Sequence, residues 1–249
     1  MSRWQQLGHL ALATWREGWR SGLWRMLAAV WGLAALAGWF AQETALLEAQ
    51  AASWAWSAGL ARLGDTVALA AAVTYALARA ASDRQLEFVA AAPLPRAWWL
   101  LGIWLGWQAV ALATAALAAL VLWPWSEAAA PWAGWAVGHA LELMVVVAAG
   151  VWFGISLRQG AAALLATVGF VLLARAAPAL VLMAQGVGDA TAGFWAGAMG
   201  VLHALLPDLS RWVPTASAAF EPRVLAEAVL YLGVLYAVAA VDWYRRRLG

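Results

Sequence analysis

Six stretches of mostly apolar residues, each about as long as a membrane-spanning helix, recur along this 249-residue chain. A helix of about 20 apolar residues matches the hydrocarbon thickness of a bilayer. Charged residues make up 11% of the chain, whereas soluble domains carry about 25%. The sequence therefore predicts an all-α polytopic membrane protein, with residues 1–249 forming one transmembrane domain. The six predicted spans are Leu23–Phe40, Leu63–Ala81, Ala97–Trp123, Trp132–Leu157, Gly160–Ala184 and Val224–Val241.

The placement of arginine predicts the orientation of these spans. All 15 basic residues are Arg, and cytoplasmic loops of membrane proteins are enriched in basic residues. An even number of spans puts both termini on one side, so we expect an N-in, C-in topology with most arginines inside. In this topology Arg62, Arg211 and Arg223 face outward, and Arg175 is unassigned. Asp65 and Arg79 are expected to mark the ends of the second span, where it meets water.

Two further segments are helical in pattern without crossing the membrane. Residues 4–22 place an apolar face beside Arg16 and Arg20, which stand at i, i+4, and this predicts an amphipathic helix at the inner interface. That face is formed by Trp4, Leu7, Ala11, Trp15 and Trp19. Residues 186–223 have an apolar part too short to span, which ends at Pro207. We expect an external or half-inserted helical pair there.

A polar segment, "SDRQLEFVAAAPLPR" (residues 82–96), lies between the second and third predicted spans, on the cytoplasmic side. Apolar side chains alternate with charges on it, which favours a docking surface for a partner protein. Two prolines would stiffen the return into the third span. The alternative is a solvated loop whose charges only keep it out of the bilayer. The candidate docking residues are Asp83, Arg84, Leu86, Glu87 and Phe88.

The longer pattern "DRQLEFVAAAPLPRAWWLLGIWLG" resembles the first cytoplasmic loop of ABC-type-two exporter permeases, and the chain looks closest to their NosY-like branch. The segments "ATWREGWRSGLWR", "GISLRQGAAALLA", "LLPDLSRWVP" and "DWYRRRLG" resemble other parts of that family, so the resemblance covers nearly the whole chain. One departure is Asp83-Arg84-Gln85, where the family often has a different acidic–basic pair followed by Gly-Thr.

The resemblance implies a function and a set of partners. In that family the loop is the coupling helix, which seats in a groove of a separate ABC ATP-binding subunit. The chain would then be a permease subunit of the bacterial inner membrane, paired with a second copy or a related permease. ATP and Mg²⁺ would bind the partner subunit, and no cofactor this chain. A periplasmic accessory protein is a further possible partner.

Two other functions stay open from the sequence. The first is a mechanotransmitting scaffold, which passes ATP-driven movement to a periplasmic partner and transports nothing itself. The second is a proton-coupled transporter that uses His139 and Glu142. The second lacks the duplicated halves, or the matching pair of broken helices, that such folds often show.

Several kinds of chemistry are excluded by residue type. The chain has no Lys, so it cannot form the phosphate-binding loop of an ATPase. It has no Cys, and its three His are far apart without the H-E-x-x-H pattern, so we expect neither a metal site nor an enzyme. The arginines are spread between apolar runs instead of being clustered on a basic face, which argues against nucleic acid as a partner.

Ionisable residues also fall inside the predicted spans. His139 and Glu142 share a face of the fourth span at a spacing of i, i+3, so a hydrogen bond between them is expected. Arg175 lies within the fifth span, and an unpaired charge in lipid is costly, so we expect it to pair with Glu142. These three residues form either a structural clamp or part of a substrate path. Glu227 is expected at the interface, near a helix N-terminus that favours its charge.

Overall fold

The computed structural model describes residues 2–82, 95–126, 129–157, 159–186, 192–212 and 222–245. These residues contain no β-strand, and helices make up nearly all of them. We number the α-helices in chain order, with a short 3₁₀ turn at Trp123–Trp125. The eight are α1 (Arg3–Arg20), α2 (Leu23–Thr44), α3 (Ala49–Ser82), α4 (Arg96–Leu122), α5 (Ala129–Leu157), α6 (Gly160–Gly186), α7 (Ala192–Leu205) and α8 (Pro222–Arg245).

The prediction of six spanning helices is confirmed by length and composition. Helices α2 to α6 and α8 are each long and apolar enough to cross a membrane. The chain is therefore a multi-pass membrane protein. Below, "inner" and "outer" denote the cytoplasmic and opposite sides in the N-in, C-in topology that arginine placement predicts.

The second span differs most from its prediction. Helix α3 begins at Ala49 and not at Leu63, and its 34 residues cover about 51 Å at 1.5 Å per residue. Asp65, expected where the span meets water, is fully buried, and Arg62, expected outside, lies between helices. The boundary was wrong because these two charges lower the local hydropathy of a helix that nevertheless continues. They have partners inside the protein, described below.

Glycine allows close approach between the spanning helices. On α5, Gly154 lies against Leu77 of α3, where a Cβ atom would come within 2.8 Å of the Leu77 side chain. On α6, Gly160 lies against the Tyr75 ring of α3. Small residues at such contacts are typical of membrane helices, because lipid provides no hydrophobic force that drives helices together.

Helix α1 is attached along its length to the inner half of α4. Both helices run in the same direction, since the facing positions advance together along the two chains. The facing pairs are Leu10 with Gly102, Thr14 with Gly106, and Gly18 with Val110. A left-handed Gly22 (φ 80°) then turns the chain into α2. The amphipathic helix predicted for residues 4–22 is therefore held by protein contacts and not by the lipid interface alone.

Helix α7 packs against α6 and is followed by a bend. Residues 207–209 and Trp212 after this bend are buried, and Trp212 is fully so. The predicted pair of helices between the last two spans is described only in its first member, because residues 213–221 lie outside the described part of the chain.

Candidate functional site

The three ionisable residues predicted inside the spans lie next to one another. Glu142 sits near the middle of α5, roughly 20 Å from either end. Arg175 approaches it from α6, and its Nε donates a hydrogen bond to Glu142 Oε1 at 2.6 Å. Arg175 Nη2 contacts the same oxygen. The pairing of Arg175 with Glu142 that the sequence argument favoured is thus present in the structure.

Glu142 has a second arginine partner that the sequence analysis missed. Arg62 of α3 donates from Nε to Glu142 Oε2, so each carboxylate oxygen carries one guanidinium group. Arg62 and Asp65 stand at i, i+3 on α3, the same spacing as His139 and Glu142 on α5. Two apolar helices that each carry two ionisable residues at the same spacing could have predicted the contact between Arg62 and Glu142.

His139 pairs with Asp65 and not with Glu142. Its Nε2 lies 3.0 Å from Asp65 Oδ2, and Trp31 of α2 donates from Nε1 to Asp65 Oδ1 at 2.9 Å. The expected bond between His139 and Glu142 does not form: Nε2 of His139 faces Asp65, and both oxygens of Glu142 face arginines. The His139 ring also stacks on Trp135, with centroids 4.8 Å apart.

We call Arg62, Asp65, His139, Glu142 and Arg175 the midplane cluster. The carboxylates and the imidazole are fully buried, while 18% of the Arg62 side chain and 21% of the Arg175 side chain remain exposed. Two arginines balance two carboxylates when His139 is neutral. This balance is what a low-dielectric site requires, since an unpaired charge there is costly.

The cluster joins several helices to the segment that follows α7. Arg62 Nη2 donates to the backbone carbonyl of Leu209 at 2.9 Å. The backbone N–H of Asp208 donates to Glu227 Oε1 of α8 at 3.2 Å. Because Arg62 is roughly 20 Å from the outer end of α3, the contact with Leu209 favours the half-inserted alternative over a purely external segment. Glu227 lies near the start of α8, as expected, but bonds a protein backbone.

The cluster is suited to holding helices in register and binding charged groups. Within the described ranges there is no group of His, Cys, Asp and Glu side chains that could hold a metal ion. Two arginines could bind an anion, and a carboxylate between them could exchange partners if the helices move.

The predicted docking residues Asp83, Arg84, Leu86, Glu87 and Phe88 all lie outside the described residues. The ends of the flanking helices are described. Gly160, at the inner start of α6, faces Tyr75 and Ala78 of α3. Helix α3 continues beyond that level to Ser82. The loop that joins α3 to α4 therefore starts about one helical turn past the start of α6.

No known family model matches the chain, and no curated protein matches it either.

Proposed function

We propose that the chain is the transmembrane permease subunit of an ABC transporter, which couples ATP hydrolysis by a separate ATP-binding subunit to export or to conformational work. The observation that carries the proposal is the course of α3. One unbroken helix of 34 residues carries Arg62 and Asp65 of the midplane cluster and ends at the docking loop. A movement of the loop would reach the cluster through a rigid helix.

Two features of the sequence support the same proposal. The absence of Lys means that ATP hydrolysis, if it drives this chain, takes place on another subunit, which would bind ATP and Mg²⁺. The segment at residues 82–96 resembles the coupling loop of ABC-type-two exporter permeases. We place the chain in the bacterial inner membrane as a dimer, with a second copy or a related permease.

A second candidate is a mechanotransmitting scaffold that acts on a periplasmic partner without transporting a substrate. The contacts of residues 208 and 209 favour it. They tie a segment near the outer side to Arg62 on α3 and to Glu227 on α8. Movement of α3 would then be passed outward through the same bonds. A gene for a periplasmic protein beside that for the ATPase would favour this candidate.

The docking loop provides the test. We expect Phe88→Ala to weaken co-purification of the ATP-binding subunit by about 1–3 kcal/mol, the range for truncating an anchor side chain at an interface. Glu87→Arg should uncouple ATP hydrolysis from output, because charges at an interface set its orientation. The measurements are pull-down of an ABC ATP-binding subunit co-expressed with this chain and its stimulated turnover in the reconstituted complex.

Matched controls lie on the opposite side of the membrane. Leu46 is 99% exposed between α2 and α3, and Glu43 is exposed at the outer end of α2. Leu46→Ala and Glu43→Arg should leave both measurements unchanged. Wild-type binding and turnover in both loop variants would show that residues 82–96 are only a connection, and docking would then have to be sought at residues 156–159 or on α1.

A further inference from the structure

The two arginines of the midplane cluster keep hydrogen-bond donors that the protein does not use. A guanidinium group has five N–H donors. Arg62 uses Nε and Nη2, for Glu142 and Leu209. Arg175 uses the same two nitrogens, for Glu142 and Thr66. Nη1 of neither arginine has a partner in the part of the chain that the structure describes.

These donors lie inside the helix bundle. Both guanidinium groups are held by one carboxylate near the middle of α5, roughly 20 Å from either end of that helix. The exposed 18% and 21% of the two side chains therefore face either acyl chains or a polar occupant. An arginine facing acyl chains at that depth costs at least about 2.5–3.5 kcal/mol. A polar occupant is the favourable solution.

The local charge decides which occupant fits. Arg62 and Arg175 share Glu142, so these three residues carry a net charge of one positive unit. The nearby carboxylate of Asp65 already accepts from Trp31 and pairs with His139. The cluster as a whole is neutral when His139 is neutral, but Asp65 pairs with neither arginine among the described residues, so the unused Nη1 donors face no carboxylate of the protein. Planar guanidinium groups match carboxylate and phosphate oxygens well.

We propose that Arg62 and Arg175 form a binding site for one anionic group, a carboxylate or a phosphate, within the membrane-spanning bundle between α3 and α6. Glu142 holds the two arginines from one side, and the anionic group binds their Nη1 donors from the other. In a permease the site selects substrates or lipids that carry such a group; this last step rests on the proposed function. Binding itself does not require an ATPase.

The test uses the full chain, purified in a neutral detergent, with thermal unfolding as the signal. One arm replaces sodium chloride by sodium phosphate at constant ionic strength. The other compares dihexanoyl phosphatidylglycerol with dihexanoyl phosphatidylcholine.

Glu142→Gln raises the charge of Arg62, Arg175 and residue 142 together to two positive units. We therefore expect this variant to bind the anion about tenfold more tightly than wild type, which corresponds to about 1.4 kcal/mol. Arg175→Gln leaves a neutral pair of Arg62 and Glu142 and should lose saturable binding.

The control is Glu43→Gln, which makes the same change at an exposed position. Its unfolding temperature should shift with phosphate as that of wild type does, so that general effects of salt on stability can be subtracted. If Glu142→Gln does not fold, the comparison of wild type with Arg175→Gln still tests whether the two arginines bind the anion. A response to the anionic lipid alone supports the site and identifies a headgroup as its source. Equal responses in every variant, or no response in any, overturn it. Loss of oligomers in Arg175→Gln, together with no anion response in wild type, also overturns it, because a second copy of the chain would then cover the arginines.

The anion-binding assay contains no ATPase, so a failed docking experiment does not change its result. Conversely, a chain that docks its ATPase and binds no anion remains a permease with another substrate class.

Discussion

The contact between α1 and α4 and the midplane cluster hold helices together in opposite ways. Between α1 and α4, both of which are described throughout, there is no ion pair, and the backbones approach closely at Gly102 and Gly106. At the midplane cluster α3, α5 and α6 are bridged by long charged side chains, while Gly154 and Gly160 bring the same helices close together further inward. The first contact depends on the volume of its residues, and the second on their charge balance.

The difference follows from the absence of a hydrophobic force between helices in lipid. Helices there associate through close packing or through polar contacts. Close packing holds two helices in one arrangement, because a shifted glycine contact meets side chains. A cluster in which one carboxylate has two arginine partners allows another arrangement, since Glu142 can keep one arginine when the other moves. We therefore expect α1 and α4 to move as one unit, and α3, α5 and α6 to change position at the cluster and not at the glycine contacts further inward.

The largest expected effect comes from removing the shared carboxylate. Glu142→Leu leaves two arginines without a counter-charge, and breaking a buried ion pair costs about 3–5 kcal/mol. Arg175→Leu should cost less, because Glu142 keeps Arg62. The double variant should be more stable than Glu142→Leu alone, since it contains one unpaired cation fewer. Thermal unfolding in detergent, with Glu43→Leu as control, measures all of them. Additive effects would mean that Glu142 and Arg175 do not interact.

A middle effect is expected from adding one methyl group between α1 and α4. A Cβ at position 106 would lie 2.7 Å from the Ala11 carbonyl oxygen, and backbone atoms cannot rotate away. We expect Gly106→Ala to cost up to about 3 kcal/mol. Gly8, at an exposed position of α1, has nothing within 4 Å of its Cβ position. Gly8→Ala should be neutral or stabilising, because alanine favours a helix by about 1 kcal/mol. Equal stability of the two variants would show that close packing does not hold α1.

The sequence predicted the six spans from their apolar length, and it predicted one contact of the cluster from the cost of a buried charge. Apolar length determines where a helix crosses, so α4 and α6 were placed within a few residues. The contact of Arg175 with Glu142 followed from the cost of an unpaired charge in lipid. Arg62 and Asp65 were misplaced because hydropathy treats any charge as a sign of water. Only the packing of α2, α3 and α5 shows that Trp31, His139 and Glu142 are there to receive them.

The smallest expected effect tests whether the Asp65 part of the cluster also depends on charge. Trp31→Phe keeps an aromatic ring and removes the N–H that reaches Asp65 Oδ1. We expect a loss of about 1.5 kcal/mol in unfolding free energy, the lower end for a hydrogen bond to a charged group. Trp24, on the same helix, is a matched control, because no partner is seen for its buried Nε1 among the described residues. Trp24→Phe removes the same atoms without breaking a bond, so it should cost less. If the two variants lose equal stability, the contact of Trp31 contributes only by packing, and α2 is held to the bundle in the way that α1 is held to α4.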